Sequence, residues 1–413
     1  MEKLIQWWLT PRFPRKHIEN ILSYRPTGLG VVRNFYRTWL VHPFKRRAAK
    51  IYLAVLRGLF GLKVIGITGS AGKTTTKEML ASILKTSGRV VYSYANIDPV
   101  YNIPATILRC SPATRYLVLE MGIEFPGEMD FYLWMASPDI GVITNINATH
   151  TEFLGSLEGV AREKGKLVKS LGIDQTAVLN SSDKIIKRSL GKLDCRIIWY
   201  GEGADVYASG VNQTADFETR FILNYKKDKK NVQIPFLGKH FVQDALAAST
   251  AALALGLNLE KVEKGLRNVE KPAHRMNWIV SPKGYNLIDD AYNANPLAVK
   301  ETLETFKSIK TPGRKLFVFG EMKELGDLAV KSHKDVGRSV AGSKIDFLFC
   351  IGTLTKHTID EAVKSGFARN RTFYADSNQN LVKEVKNVIK KGDVVLIKGS
   401  RSMKLEEVVE SLK

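Results

Sequence analysis

The sequence has few cysteines and no long uncharged apolar run. Its three cysteines, Cys110, Cys195 and Cys350, lie far apart and form no Cys-x-x-Cys pair. This spacing excludes a disulfide framework or a cysteine-rich zinc site and is typical of a reducing cytosol. The apolar run at 51–60 is interrupted by Arg57, whereas a membrane-spanning helix needs about 20 apolar residues. Neither a spanning helix nor a cleavable signal peptide is therefore predicted.

Carboxylates are scarce relative to basic residues. The chain has 62 Lys and Arg against 41 Asp and Glu, a net charge of +21. Such an excess favours an anionic partner, which can be nucleic acid, a membrane surface or a phosphorylated substrate. About half of the excess lies in residues 1–63, where 13 basic residues face only Glu2 and Glu19.

The basic N-terminal segment, residues 1–62, has two possible roles. It contains Trp7, Trp8 and Trp39, three of the six tryptophans. The stretch Lys45–Leu62 predicts a basic helix with a wide apolar face, which can lie in the interface of an anionic membrane. The alternative is that the helix packs this face on the next domain. We expect the segment to contact the cytoplasmic side of an anionic membrane peripherally.

From Lys63 onward, short β-branched runs alternate with helical patterns. Apolar runs such as KVIGIT (63–68) and RYLVLE (115–120) are typical of parallel strands buried on both faces. Residues 205–237 instead predict antiparallel strands with a lysine-rich turn at 226–230. A break near 268–275 precedes a second alternation of strands and helices. With 413 residues, two to three domains are expected.

These patterns predict an α/β protein in three parts. Residues 1–62 form a basic helical segment, and residues 63–270 form a central domain with a parallel sheet. Residues 271–413 form a second, Rossmann-like α/β domain. Hydrophobic residues make up 44% of the chain and charged residues 25%, so a wholly disordered or coiled-coil chain is excluded.

A phosphate-loop motif follows the strand at 63–68 and precedes a helix. Its members are Gly69, Ser70, Ala71, Gly72, Lys73, Thr74 and Thr75. In such a loop, glycines let backbone N–H groups surround an anion and the helix N-terminus adds partial positive charge. The lysine reaches the outer phosphates, and the threonine hydroxyl can hold Mg²⁺. The motif therefore predicts nucleotide binding.

Other polar residues stand at strand ends. Glu120 ends an apolar strand, where a carboxylate can meet Mg²⁺ beside a phosphate loop, and His150 follows another strand. Alone, a histidine at position 150 is more often a surface or capping residue, and Lys164 alone is an ordinary solvated helix lysine. The Asn-rich stretch 289–296 fits either turn chemistry or nucleotide contact. The carboxyl ends of parallel strands meet in one crevice, which favours the functional interpretation.

Several longer stretches carry a resemblance. They are ITGSAGKTTTKEML (67–80), LEMGIEFPGEM (119–129), DIGVITNINATHTEFLGSLEGVAREKGKL (139–167), IDDAYNANP (288–296), FGEMKELGD (319–327) and VLIKGSRSM (395–403). The chain resembles the Mur ligases, ATP-dependent amide-forming enzymes of peptidoglycan synthesis. It is most similar to the branch that adds D-alanyl-D-alanine to a UDP-N-acetylmuramoyl-tripeptide.

The resemblance implies a role for each matching residue. Lys73, Thr74 and the loop glycines bind the ATP phosphates and Mg²⁺, while Glu120 and His150 hold two Mg²⁺ ions. Lys164 matches a lysine that is carbamoylated and bridges toward the second ion. Arg275 meets the γ-phosphate, Asp290 holds the ribose hydroxyls and Asn293 lies near the nucleotide. The implied catalytic set is Lys73, His150, Lys164 and Arg275, and the implied metal set is Thr74, Glu120, His150 and Lys164.

The sequence departs from this family at three places. The basic segment stands where the family has a larger N-terminal domain for the UDP-sugar, and the stretch 238–244 lacks the two asparagines usual near adenine. The Gly-Arg pair usual before the last domain is His274-Arg275 here. Alternatives are a ligase of the same family with another acid and amine, and a non-catalytic ATP-binding protein at the membrane. A nucleic-acid-dependent NTPase is disfavoured because no nucleic-acid-binding module is evident.

Overall fold

The computed structural model describes residues 2–24, 30–94, 97–214 and 217–413. The N-terminal segment contains helices α1 (Glu2–Leu9), α2 (Arg15–Ser23), α3 (Gly30–Tyr36) and α4 (His42–Phe60). A π-helical stretch, Arg37–Val41, leads into α4. Gly61 ends α4 in a left-handed conformation with φ 65°, as is common for glycine after a helix. Among the described residues, none of the helices has the length and apolarity to cross a membrane.

One face of the N-terminal segment packs on the central domain. Its buried apolar residues belong to the same core as residues of the first sheet. These residues are Leu9, Phe13, Ile18, Ala49, Leu53 and Leu56. The His17 Nε2 atom of α2 also lies 2.7 Å from Glu128 Oε1, and Arg46 is buried over the Phe13 ring. The segment is therefore part of the folded body, as the packing interpretation expects.

The first sheet has nine strands and lies between residues 63 and 234. Its strands are β1 (Lys63–Thr68), β2 (Arg89–Tyr92), β3 (Thr114–Glu120), β4 (Ile140–Ile143), β5 (Thr176–Asn180), β6 (Arg196–Tyr200), β7 (Val206–Gln213), β8 (Thr219–Tyr225) and β9 (Asp228–Ile234). The order is β2-β3-β1-β4-β5-β6-β7-β8-β9, and the pairs from β2 to β6 are parallel. β1 therefore lies inside the parallel part of the sheet, between β3 and β4, and the loop after it emerges at the carboxyl edge between these neighbours.

Helices cover this sheet and set its loops. They are α5 (Lys73–Lys85), α6 (Pro99–Ile107), α7 (Glu128–Met135), α8 (Thr151–Leu154), α9 (Leu157–Lys169), α10 (Lys184–Ser189), α11 (His240–Ala254) and α12 (Leu259–Arg267). β7, β8 and β9 are antiparallel, as expected. The predicted lysine-rich turn at 226–230 is too long, because β9 begins at Asp228 and pairs with Tyr225. Helix α11, which is rich in alanine, is buried along most of its length.

The second sheet has six strands and lies between residues 277 and 398. Its elements are β10 (Asn277–Val280), β11 (Asn286–Asp290), α13 (Pro296–Ser308), β12 (Lys315–Gly320), α14 (Ala329–Ala341), β13 (Phe347–Ile351), α15 (Thr355–Lys364), β14 (Thr372–Ala375), α16 (Asn378–Val388), β15 (Val394–Lys398) and α17 (Glu406–Leu412). The order is β10-β11-β15-β12-β13-β14. Only β10 pairs antiparallel. The α/β class with a second doubly wound unit is confirmed.

Candidate active site

The phosphate loop connects β1 to α5 and is closely packed against neighbouring side chains. A Cβ atom on Gly69 would overlap the Thr144 hydroxyl, and one on Gly72 would overlap Asp244 Oδ1. Both glycines also have positive φ angles, 149° and 77°, which residues with a Cβ atom rarely adopt. Glycine is therefore required at both positions for two separate reasons.

Lys73 begins helix α5 and its side chain turns back over the loop. Its Nζ atom donates to Gly69 O at 2.9 Å. The first-turn N–H groups of a helix have no acceptor within the helix, so they and Lys73 point donors toward one place. Burial lowers the pKa of Lys73, with Glu120 opposing and Arg275 reinforcing the shift. The arrangement suits an anion that brings its own negative charge.

Thr74 connects the two sheets through side-chain contacts. Its Oγ1 donates to Glu120 Oε1 at 3.0 Å and accepts from Arg275 Nη2 at 3.1 Å. Glu120 ends β3, whereas Arg275 precedes β10 in the second unit. Lys77 is almost wholly buried, and its Nζ lies 3.6 Å from Glu120 Oε2. Glu120 is thus close to Lys77 directly and is linked to Arg275 of the second unit through the Thr74 hydroxyl.

Arg275 is held in place by an aromatic ring. Its guanidinium lies 4.3 Å from the centre of the Tyr292 ring, and Arg401 lies 5.4 Å from the same ring. The neighbours of Arg275, His274 and Met276, both have positive φ angles. Side chains with a Cβ atom are strained there, so the backbone is bent to aim Arg275 at the loop.

His150 makes a second contact between the units. Its Nδ1 lies 2.7 Å from Glu324 Oε2, but the two atoms are not aligned as a hydrogen bond, since Nδ1 has no hydrogen-bond partner among the described residues. The nearby His150 imidazole lowers the pKa of Glu324. Beside it, Thr151 Oγ1 donates to Leu325 O at 3.0 Å. His150 itself has φ 55°. Because Nδ1 faces the Glu324 carboxylate, Nε2 is the ring nitrogen that faces away from it.

Lys164 is buried on α9 and has no charged partner in contact. Only 1% of the residue is exposed, and no hydrogen bond or ion pair of its ammonium occurs among the described residues. Burial lowers the pKa of Lys164 well below its ordinary value, and Lys73 adds to this, while Glu128 and Glu163 oppose it. A neutral amine is the form that reacts with carbon dioxide to give a carbamate.

A cavity of about 550 Å³ lies between the two sheets. The phosphate loop, Glu120 and Arg275 line one part, and Asp290, Asn293 and Lys398 line another. Cavities of this size suit a nucleotide-sized ligand. Its position at the carboxyl ends of parallel strands is the usual one for ligands in such sheets.

Asp290 is partly engaged within the protein. Its Oδ2 accepts from Lys398 Nζ at 2.5 Å and from Thr302 Oγ1 at 2.8 Å. Lys398 Nζ also donates to Asn293 O at 3.2 Å. Oδ1 of Asp290 makes no hydrogen bond in the described part of the chain. One carboxylate oxygen is therefore left to accept from a ligand hydroxyl.

The start of α11 carries other side chains where the family has two asparagines near adenine. Phe241 packs against the Phe236 and His240 rings at 4.8 and 4.1 Å. His240 Nδ1 and Gln243 Oε1 are buried without a hydrogen-bond partner among the described residues, and both residues line the cavity. Burial lowers the pKa of His240 to about 4. These two atoms are candidate contacts for a polar ligand edge.

Glu301, which lines the cavity, makes the unfolding free energy of the protein depend on pH. Burial raises the pKa of Glu301 from 4.5 to about 7, so the native state keeps a proton that the unfolded chain loses between these values. Stability therefore falls as pH rises through this window. We expect Glu301→Gln to gain about 1–3 kcal/mol in unfolding free energy relative to the parent between pH 5 and pH 8.

Urea unfolding at the two pH values measures this gain. Glu304→Gln is the matched control, because Glu304 lies on the same helix and is exposed. An equal difference between Glu301→Gln and the parent at both pH values would contradict the assignment.

The oxygen atoms beside the phosphate loop fit a magnesium ion. Thr74 Oγ1 and Glu120 Oε1 lie 3.0 Å apart, and Mg²⁺ prefers oxygen ligands of this kind. His150 offers a nitrogen, and unmodified Lys164 offers no oxygen ligand. Thr74 and Glu120 therefore suit one Mg²⁺ ion, and a second ion would need the oxygens of a carbamate on Lys164.

The residues chosen from sequence fall into separate groups. Thr74, Glu120 and Arg275 form one hydrogen-bonded network beside Lys73, while Asp290 and Asn293 line the same cavity. His150 lies beside Glu324, and in the described part of the chain Lys164 forms no hydrogen bond or ion pair with either residue. Lys77 and Lys398 were not predicted from the sequence. Lys77 is four residues after Lys73, on the same helical face, and Lys398 precedes the glycine of the last motif.

Family models match both units of the chain. Residues 67–252 match the Mur ligase middle domain, and residues 274–401 match the Mur ligase glutamate ligase domain. The first match begins two residues before the phosphate loop, and the second includes Arg275, Asp290 and Lys398.

Named relatives agree with these matches. The UDP-N-acetylmuramoyl-tripeptide–D-alanyl-D-alanine ligase of Bacillus subtilis is 36% identical over 89% of this chain and 78% of its own length. A crystal structure of MurF from Acinetobacter baumannii aligns with a TM-score of 0.80 and 28% identity, over 89% of this chain and 80% of that one. MurF from Thermotoga maritima, solved with ADP, aligns with a TM-score of 0.78 and 26% identity, over 89% and 82%.

Proposed function

This chain belongs to the Mur ligase family, and on that premise we propose that it joins D-alanyl-D-alanine to a UDP-N-acetylmuramoyl-tripeptide. The reaction is an ATP-dependent, ADP-forming amide synthesis through an acyl phosphate. The Bacillus subtilis relative carries this activity in its name. We also propose the division into a segment at 1–62, a central domain at 63–270 and a C-terminal domain at 271–413.

The contact of Arg275 with Thr74 is the observation that carries the proposal. A guanidinium of the second unit reaches the first turn of the phosphate-loop helix at 3.1 Å. An arginine at this place can meet the γ-phosphate only while the two units are closed on each other. A simple nucleotide-binding protein does not need such a cation at the reacting end.

Charge explains the first chemical step. A substrate carboxylate must attack the γ-phosphorus of ATP, so one anion meets another. The N–H groups at the start of α5, with Lys73 and Arg275, stabilise the negative charge of the transferring phosphoryl group. The carboxylate oxygen forms a bond to phosphorus, the bond to the β-phosphate oxygen breaks, and ADP leaves with the electron pair.

The second step forms the amide bond. The amine nitrogen attacks the acyl carbon, and the tetrahedral intermediate expels inorganic phosphate after the amine has lost a proton. Water would hydrolyse the acyl phosphate, so the site must stay closed during both steps. The pairs His150–Glu324 and Thr151–Leu325 join the two units on this side and support closure.

ATP and Mg²⁺ are the proposed cofactors. Bound Mg²⁺ supplies Lewis-acid stabilisation of the phosphate oxygens. Thr74 and Glu120 would hold the first ion, and His150 with a carbamate on Lys164 would hold the second. Asp290, through Oδ1, would accept from the ribose, and Asn293 would lie beside the nucleotide. We propose a cytoplasmic enzyme that works in part at the inner face of the membrane.

Phosphate release across a panel of substrates tests the function. The purified chain is incubated with ATP, Mg²⁺, UDP-muramoyl peptides of increasing length and a series of amino acids and dipeptides. We expect release only with the tripeptide and D-alanyl-D-alanine together, with an equal amount of amide product by mass spectrometry. Release with a different pair would replace the substrate assignment, and no release with any pair would contradict ligase activity.

A further inference from the structure

Helix α4 has an apolar stripe on the side that faces away from the protein. Its inner stripe, Ala49, Leu53 and Leu56, is buried against the central domain. The outer stripe recurs at helical spacings on the opposite side. Its members are Phe44, Ile51, Val55 and Leu59, all exposed. Ile51 and Leu59 are 67% and 76% exposed.

Exposed apolar side chains are concentrated in this segment. Of 25 large hydrophobic residues exposed in the described part of the chain, 15 lie between Leu4 and Phe60. Trp7 is 63% exposed, and Phe35 and Tyr36 on α3 are also exposed. Monomeric proteins rarely leave a large apolar patch in water, so this surface is suited to a partner.

The charge around this surface is mostly positive. Residues 1–62 contain 12 Lys and Arg and only two Glu. Lys3, Arg12, Arg33 and Arg37 are exposed, and none has a carboxylate in contact among the described residues. A second copy of this chain would bring the same positive charge to the interface and be repelled. An anionic partner with an apolar interior satisfies both features.

We propose that residues 1–62 form an in-plane anchor whose outer face binds an anionic lipid bilayer. The apolar stripe of α4 enters the acyl boundary, Trp7 lies at headgroup depth, and the exposed basic residues pair with lipid phosphates. None of the described helices can span a bilayer, so the anchor lies flat. Its inner face remains packed on the central domain through Leu9, Phe13 and Leu53.

Vesicle flotation of the full-length protein tests this anchor. The vesicles contain phosphatidylcholine alone or with about 30% phosphatidylglycerol, because each basic residue near an anionic surface contributes about fivefold to binding. We expect binding to the anionic vesicles at low salt and at least a tenfold loss on the neutral ones. Because the outer residues are exposed, the triple variant Phe44→Ser, Ile51→Ser, Leu59→Ser should fold. Its partition coefficient onto the anionic vesicles should fall about tenfold for each apolar residue replaced.

A matched variant controls for general surface hydrophobicity. Ile173 and Val280 are 83% and 74% exposed and lie outside the segment, so Ile173→Ser with Val280→Ser should bind like the parent. Circular dichroism and phosphate release are measured on the same proteins. Release absent from every protein would contradict the proposed function while leaving the flotation result intact.

Three outcomes would overturn the anchor. The first is parent protein that stays unbound on anionic vesicles at low salt. The second is a triple serine variant that is folded and still partitions like the parent. The third is sedimentation showing that the parent is a stable oligomer and the triple variant a monomer, which would assign the outer face to a second copy of the chain.

Discussion

Replacing Lys164 by alanine is expected to lower the rate of amide formation by about 100- to 1,000-fold. The buried amine of Lys164 has no charged partner in contact within the described ranges, and burial lowers its pKa, so the neutral amine can react with carbon dioxide. The carbamate would supply oxygens that the unmodified site lacks. Added acetate or formate should partly restore activity by entering the space left by the side chain.

Chemical rescue separates this role from a structural one. Lys169→Ala is the matched control, because Lys169 lies on the same helix and is exposed, and its activity should be unchanged with or without acetate. Mass spectrometry of the parent in bicarbonate buffer should show the carbamate on the peptide containing Lys164. Full activity in Lys164→Ala would contradict a required carbamate. An inactive variant that no short carboxylate restores would indicate only a packing role for Lys164.

Replacing Arg275 by alanine is expected to slow phosphoryl transfer by about 100- to 1,000-fold. ATP affinity should change by less than about fivefold, because Arg275 acts on charge that develops in the transition state. The guanidinium reaches Thr74 from the second unit and stacks on Tyr292. Single-turnover phosphate release measures the step, and equilibrium titration with ATP measures binding.

The control for Arg275 is another arginine near the junction of the two units. Arg267 lies at the end of α12 and pairs with Glu263, so Arg267→Ala should keep both rate and affinity. Equal losses of ATP affinity and rate in Arg275→Ala would contradict an action confined to the closed state. A normal rate would remove Arg275 from the reaction altogether.

Local sequence patterns predict many of the helices and strands, because these elements depend on residues that are close together in the chain. The strand at 63–68, the loop at Gly69–Gly72 and the helix after it are each dictated by neighbouring residues. The N-terminal helix is predicted as Lys45–Leu62 and observed as His42–Phe60, with Gly61 marking its end. Short strands such as β2 and β14 escape prediction, because four residues at a sheet edge carry too little pattern.

The side-chain pairings of the site are less predictable because their partners are distant in sequence. His150 and Glu324 both lie in stretches that carry the family resemblance, yet nothing local shows that they touch. Lys77 meets Glu120 only because β3 lies beside β1. Lys398 reaches Asp290 because β15 pairs with β11. Sheet order, which sequence patterns do not specify, brings these charges together.

The packing of the N-terminal segment has a consequence for hydrogen exchange. Leu53 and Leu56 of α4 share a core with Val64 of β1, so α4 opens fully only when the central sheet unfolds. A ligand that binds only the folded state makes that unfolding rarer by mass action. ATP bound at the phosphate loop should therefore slow exchange of the α4 amides, although no residue of α4 lines the cavity. Protection of the α4 amides thus becomes a measure of nucleotide binding at a distant site.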